Sequence, residues 1–391
     1  MEIEGVGRNQ NVRLHTFCNP RRDHEKASNQ ITSVLRFRTV SKAWKSLIDC
    51  SQFVVDYSVN HTHQHHLLVS YSPVESVEQK YISIVDDETF PKQKCSLPDP
   101  AGSGPRLLGS SQGLFCVCTT HGDPHEPGRI IKTAVLWNPS IRKSVAIDLP
   151  YDLHRNSVMI IGFGVCPQTS DPKLVKINST YSMPDLDTII YSPWQVEVYT
   201  LSSQAWRSIP TINQPRNSIS LKPNQVVIDG FIYWHALDLV SVSMMTTGFE
   251  GYNLIVSFDM TSEEFMEVSL PDSLARAKNN NLVISKLQES LTVVEMVKEA
   301  EKQVYCMWMM EHGGPNSFTK VFNINSPDAS IEVVLGFRDN DEPIFKNTNQ
   351  DAHGVFVHEL HSEHINCTLI SCNGYALYAG SYMETLLLLD H

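Results

Sequence analysis

The chain has 391 residues, enough for one large domain with a small appendage, and 41 % hydrophobic with 19 % charged residues is ordinary for a packed globular protein. That composition excludes disorder over most of the length, and the formal net charge of −12 speaks against nucleic acid as the main ligand, because phosphate binding needs clustered Lys and Arg. No run of about 18 apolar residues is present, so no membrane-spanning helix is expected.

Residues 1–50 hold nine Lys/Arg against five Asp/Glu, which leaves a balance of −16 on the rest. A basic head on an acidic body reads either as two modules with different partners or as an exposed helix with ordinary solvated charges. The nine cysteines form no CxxC pair, and the Cys116/Cys118 spacing suits core packing better than a metal site. With no apolar signal core at the N-terminus, the thiols read as reduced and the protein as cytoplasmic, nuclear or both. The sequons at Asn60, Asn178 and Asn366 are then chance matches.

In chain order, residues 1–30 are polar and aperiodic and are expected to be loose. From Ile31, the residues Phe37, Val40, Trp44 and Leu47 recur at steps of three and four, one helical stripe. Ser41 is placed to cap a second short helix after Val40, giving two helices that meet at a corner. His61, His63, His65 and His66 follow in a polar stretch; with no fixed Cys or carboxylate partner nearby, a solvated linker is expected over a metal site.

From Leu67 onward the pattern is strands and turns. Asp229-Gly230 and Asn373-Gly374 read as hairpin turns. A phrase repeats: an apolar strand ending in an aromatic, a polar turn, a second strand and a closing Pro. It runs from Ala134 through Trp137 to Pro150, from Val196 through Tyr199 and Trp206 to Pro210, and from Ile255 through Phe258 and Phe265 to Pro271. Trp137, Tyr199 and Phe258 lie 62 and 59 residues apart, and a weaker copy around Phe322 follows 64 residues later. Such a period means radial or stacked repetition of a unit that cannot bury its apolar face alone. About four strands fit each period, which is the content of one propeller blade; a sandwich of antiparallel sheets is the competing architecture.

Eight phrases in order resemble a plant F-box protein with an F-box-associated interaction domain, the F-box/kelch-repeat type. Leu35 to Ile48 resembles the second half of the F-box, followed by Phe53-Val54. Gly109-Ser110-Ser111-Gln112-Gly113-Leu114 resembles "GSCNGL", and Leu136-Trp137-Asn138-Pro139-Ser140 resembles "LWNPST". Gly162-Phe163-Gly164 with Pro172-Lys173-Leu174-Val175, Glu197-Val198-Tyr199 with Ala205-Trp206-Arg207, Asp229 to Trp234, Ser257-Phe258-Asp259 with Phe265-Met266-Glu267, and Tyr382 to Leu386 complete the series. Residues 11–20 depart from it, because they lack the Leu-Pro pair and first helix of a complete F-box.

The resemblance implies a mostly β fold: a kelch-type, propeller-like C-terminal domain over 67–391 behind a short helical F-box remnant over 31–56, with the His-rich linker over 57–66. It implies an Skp-type adaptor, through it a cullin, and an unidentified protein substrate as partners, with no nucleic acid, no membrane and no cofactor. Leu35, Arg36 and Arg38 are the adaptor-facing candidates. Phe37, Val40, Trp44, Leu47 and Ile48 are read as the core of the remnant, since aromatics dominate small cores by area. Trp137, Tyr199, Trp206, Phe258 and Phe265 have the chemistry of ligand-stacking platforms, but their regular place in the repeat assigns them to the core.

Binding is expected on the long loops around 99–106, 119–130, 179–194 and 211–224. No nucleophile elbow, zinc-protease motif, P-loop or dinucleotide fingerprint occurs. The function implied is the substrate-recognition subunit of a Skp–cullin–F-box ubiquitin ligase, a non-catalytic receptor. A stand-alone interaction module without adaptor docking, and a propeller hydrolase or oxidase, are the alternatives.

Overall fold

The computed structural model describes residues 28–60, 65–87 without 75 and 77, 94–99 without 98, 106–122, 130–150, 157–183, 189–210, 214–239, 251–278, 281–299, 302–311, 317–325, 331–347, 354–358, 367–371 and 374–388. It divides into two compact units, Met1–Ile48 and Asp49–His391.

In the first unit, α1 (Ser28–Val40) and α2 (Lys42–Ile48) meet at a corner. Ser41 makes it: its Oγ accepts from the Trp44 N–H at 3.2 Å while its C=O accepts from the Lys45 N–H. The stripe expected to be a small core is not one. Phe37 is 52 % exposed, Val40 67 % and Leu47 51 %, and Trp44 is also open, whereas Ile48 is buried. Phe37 and Trp44 cover each other, with ring centroids 5.4 Å apart. Two helices of 13 and 7 residues offer one another a single face, and no third helix is described in this unit to close the stripe. Residues 1–27, His61 and His63 lie outside the described residues.

The second unit opens with α3 (Ser51–Asn60), followed by β1 (His65–Pro73), β2 (Lys80–Val85) and β3 (Lys94–Leu97). The expected linker over 57–66 is therefore shorter, with Tyr57 in α3 and His65 and His66 already in a strand. Then come β4 (Arg106–Ser111), β5 (Leu114–Gly122), β6 (Ile130–Asn138) and β7 (Lys143–Leu149), which form one sheet. The next sheet holds β8 (Ser157–Val165), β9 (Pro172–Ser182), the two-residue β10 (Ile190–Tyr191), β11 (Gln195–Thr200) and β12 (Ala205–Ser208).

Two more sheets are β13 (Ile219–Ile228), β14 (Phe231–Asp238), β15 (Tyr252–Asp259) and β16 (Phe265–Ser269), then, after the single turn α4 (Asp272–Ala275), β17 (Leu282–Leu287), β18 (Ser290–Glu299), β19 (Lys302–Met310) and β20 (Phe318–Asn325). The last is β21 (Ile331–Phe337), β22 (Pro343–Asn347), β23 (Gly354–His358) and β24 (Cys367–Ser371). Finally β25 (Gly374–Met383) returns to pair with β1, so the first sheet has the order β25-β1-β2-β3. Among the described residues this makes six antiparallel sheets in a ring, a six-bladed β-propeller and not a sandwich.

Strand chemistry follows from that ring. Consecutive side chains on a strand face opposite sides, and in a propeller each side meets a neighbouring blade. Leu67 packs toward the sixth blade while Leu68 packs toward the second. Val293 faces the fourth blade and Val294 the sixth. Inner and middle strands are thus apolar without alternation, whereas the outer strand β7 alternates exposed and covered residues and the outer strand β20 is mostly exposed. Each of the six seams has its own apolar cluster.

Trp137, Tyr199 and Phe258 stand one residue before the end of the third strand of the second, third and fourth blades, and all three face the preceding blade. Tyr199 stands opposite Trp206 and Phe258 opposite Phe265 on the fourth strand, at 5.4 and 4.8 Å between ring centroids; Trp206 and Phe265 are half-buried. The weaker copy is out of place. Phe322 lies on β20, a fourth strand, and faces the sixth blade, whereas the third-strand ring of the fifth blade that faces its predecessor is Trp308 on β19. Spacing alone slid that copy by one strand.

The turns after the third strands also repeat: Arg142, Gln204 and Glu263 all have positive φ, at 55°, 52° and 61°. Arg142 is exposed, so Arg142→Gly is expected to stabilise by about 0.5–1 kcal/mol, read as a higher urea midpoint, since glycine relieves the left-handed strain. Asp229-Gly230 is a tight β13–β14 turn with both φ positive. Asn373-Gly374 is not a hairpin: β24 and β25 belong to different blades, and Gly374 is needed because a Cβ there would collide with the Ser72 carbonyl of β1.

The ring is closed a second time beyond β25. Asn138, fully buried at the end of β6, donates its amide NH₂ to the carbonyls of Thr385 and Leu387, both at 2.8 Å. Its Oδ1 accepts from the Ser140 and Ile141 N–H groups. The tail after β25 is thereby tied into the second blade, where Leu388 joins the apolar seam.

Candidate functional site

Because the four principal strands of each blade are antiparallel to their neighbours, the inner strands of all blades run the same way. The connections from an outer strand to the next inner strand, and from second to third strands, therefore emerge at one end. The loops expected to bind, 99–106, 119–130, 179–194 and 211–224, all start or finish at this end, with 100–105, 123–129, 184–188 and 211–213 outside the described residues. The opposite end carries the tight turns and the Asn138 tie.

At the loop end of the third and fourth blades lies an open cleft of about 750 Å³, lined by Ile189, Ile190 and Tyr191 and by Gln214 to Ser218 with Glu267. The first wall exists because β9 outruns β11, and β10 pairs with its distal part in the register Ile190↔Ser182 and Tyr191↔Tyr181. The second is the segment entering β13. Arg216 braces it: Nη1 donates to Asp238 at 2.5 Å, and Nη2 and Nε donate to Glu267 at 2.7 and 3.0 Å. Hydrogen bonding to Glu267 is the chief cause that raises the Arg216 pKa. Burial pushes the Tyr191 hydroxyl up, helped by Tyr181 and Asp238. Ile190, Met183, Tyr181, Val158 and Tyr252 expose apolar area at this end. Tyr, Met and Arg in such a patch are the residue types that interfaces favour.

A second polar cluster sits under the first blade. Ser83 Oγ lies 2.8 Å from the Tyr382 hydroxyl and 3.4 Å from His66 Nδ1, and His66 Nε2 lies 4.0 Å from Glu384 Oε1. Burial lowers His66 to about 4 and raises Glu384 to about 7 and Tyr57 to about 12. The order Ser–His–Glu imitates a hydrolytic triad, but Ser83 and His66 are buried and the serine is engaged by Tyr382. This is an anchoring cluster at the α3–β1–β25 junction.

Leu35 and Arg38 are half-buried and Arg36 is exposed on α1, beside the open stripe. Cys116 and Cys118 face one seam, and among the described residues no group of three or more His, Cys, Asp or Glu could hold a metal. Sequence reasoning reached the loop 211–224 without singling out Gln214 or Arg216, and it met His66 only as part of a linker and Glu384 only as part of a family phrase. The segment entering β13 is irregular and carries no periodicity that would single out a side chain.

Residues 111–376 match the F-box associated beta propeller domain. The chain is 25 % identical over 321 residues to the F-box protein CPR1 of Arabidopsis thaliana, covering 75 % of this chain and 70 % of that one. An F-box/kelch-repeat protein of the same plant is 22 % identical over 313 residues, covering 75 % of each. Among solved structures, the β-propeller domain of the Trilobed protease from Pyrococcus furiosus aligns over 68 % of this chain and 70 % of its own at 12 % identity and a TM-score of 0.34. With well over half of its length matched by that domain, the chain belongs to the F-box-associated β-propeller family.

Proposed function

We propose that the protein is a substrate receptor of a Skp–cullin–F-box ubiquitin ligase, acting in the cytoplasm or nucleus, with the loop end of the propeller holding a target protein and α1 and α2 holding the adaptor. The observation that carries this reading is the joining of an F-box-associated propeller to a helical corner whose stripe of Phe37, Val40, Trp44 and Leu47 stands open. An exposed apolar stripe of that size on a short helix pair marks a docking face. Leu35, Arg36 and Arg38 flank it and would meet the adaptor's rim. The mechanism is proximity: holding the target raises the effective concentration of its lysines near a ubiquitin-loaded enzyme, so the chain itself performs no bond chemistry.

The full chain is expected to retain a recombinant Skp-type adaptor at micromolar concentration, and Trp44→Ala with Leu47→Asp is expected to weaken this at least about tenfold, because a few buried anchors carry most interface energy. Absence of retention by the unaltered chain would reject the ligase reading. It would favour the stand-alone module, which draws support from the missing Leu-Pro pair in residues 11–20.

A further inference from the structure

The protein already reads an extended backbone with a side-chain amide. The Gln225 side chain, on β13 just past its irregularity after Leu221, reaches β8 in the preceding blade. Its Oε1 accepts from the Phe163 N–H at 2.8 Å and its Nε2 donates to the Phe163 C=O at 2.6 Å. One amide thus offers a residue of strand the donor and acceptor that a neighbouring strand would offer. Gly109 makes room, because a Cβ there would stand 2.6 Å from Nε2.

Gln214 has the same head group and forms part of the wall of the loop-end cleft. Both its Oε1 and its Nε2 are closed off from solvent, and neither meets a hydrogen-bond partner in the protein. A buried amide left unpaired is a standing penalty that a complementary donor–acceptor pair removes. Beside it in the cleft is β10, the edge strand of its sheet, which pairs on one side with β9. Edge strands and bidentate amides both suit an extended peptide.

Charge narrows the class. Arg216 is shared between Asp238 and Glu267, so these three side chains leave an excess of one negative charge. The body behind them holds the −16 balance. Ile190 is 53 % exposed at the lip, with Tyr181 on the adjoining strand and Met183 just past its end.

We infer that this cleft binds an extended segment of a target protein carrying a Lys or Arg beside an apolar residue, its backbone held by β10 and by the Gln214 amide, which gains its missing partners by turning out of the wall toward the peptide. The inference rests on the receptor reading and names the substrate class for it.

The test is a selection of random short displayed peptides on the full chain, followed by fluorescence polarisation with the enriched sequences. Enrichment in Lys or Arg next to an apolar residue is expected. Gln214→Leu should weaken binding about tenfold or more while leaving the melting temperature unchanged or higher, since it removes unpaired polar atoms. N-methylation of the peptide backbone should have a similar effect. A pool without basic enrichment, or equal binding to Gln214→Leu, overturns the inference. Peptides lost with Tyr252→Ala but kept by Gln214→Leu would place recognition elsewhere on the loop end, sinking the cleft and sparing the receptor. Adaptor retention, measured separately, decides the receptor reading itself.

Discussion

Asn138→Ala is expected to lower the unfolding free energy by on the order of 3–5 kcal/mol, read as a large drop in urea midpoint. The substitution leaves the Thr385 and Leu387 carbonyls without their donor and the Ser140 and Ile141 N–H groups without their acceptor. Asn138 has no solvent exposure, so water cannot take over these bonds without opening the tail. Asp259, which ends the third strand two blades on, serves as the control. Its carboxylate bonds only within its own turn, to the Thr261 N–H and the Ser262 hydroxyl, and Asp259→Ala is expected to cost about 1 kcal/mol. Equal losses in the two variants would mean that the tail is not a lock. Asn138→Asp should fare worse than Ala at neutral pH, because an ionised carboxylate would face two carbonyls with nothing to donate.

Glu384→Gln is expected to stabilise the protein at pH 8 by on the order of 2–3 kcal/mol. Burial raises the Glu384 carboxyl from its ordinary 4.5 to about 7, with its side chain only 18 % exposed. Between those values the folded chain holds a proton that the unfolded chain has released, so stability falls as pH rises through that window and stays low above it. His66 works the other way. Burial, with His65 adding to it, lowers it from 6.5 to about 4, so the unfolded chain takes up a proton first and stability falls as pH drops through that range. The two slopes oppose each other between about 4.5 and 6.5. The wild type should therefore be nearly flat there, and Glu384→Gln should expose the His66 slope, losing stability on acidification. Urea midpoints at several pH values from 4 to 8 check this; a variant less stable than wild type at pH 8 would rule out burial as the cause.

What could be read from the sequence was the part with local logic. The third and fourth strands of a blade are joined by a short turn, so the Trp137, Tyr199 and Phe258 phrases kept their period and their shared orientation toward the preceding blade. Phe322 matched in spacing but not in strand, because blade length varies and one apolar strand looks like the next. The first blade was hidden for a different reason: its inner strand β25 lies some 300 residues from β1, and no window sees such a pair. The stripe of Phe37, Val40, Trp44 and Leu47 gave the helices correctly but not their burial, since periodicity tells which face is apolar and not what covers it. His66 and Glu384 were silent because their surroundings join β1, β2 and β25, segments far apart in the chain, and Gln214 because nothing local marks which side chain of a loop is closed off from solvent.

The pairing of β1 with β25 sets a clock on biosynthesis. While the ribosome adds the residues between Pro73 and Gly374, about 15–60 s at ~5–20 residues per second, β1 has no partner on its inner side. During that interval a nascent chain offers a naked hydrogen-bonding ledge rich in Leu and Val to any other strand in reach. Protection by chaperones should therefore matter most in mid-translation, and a stall anywhere in that stretch should yield aggregates in place of a weakened receptor.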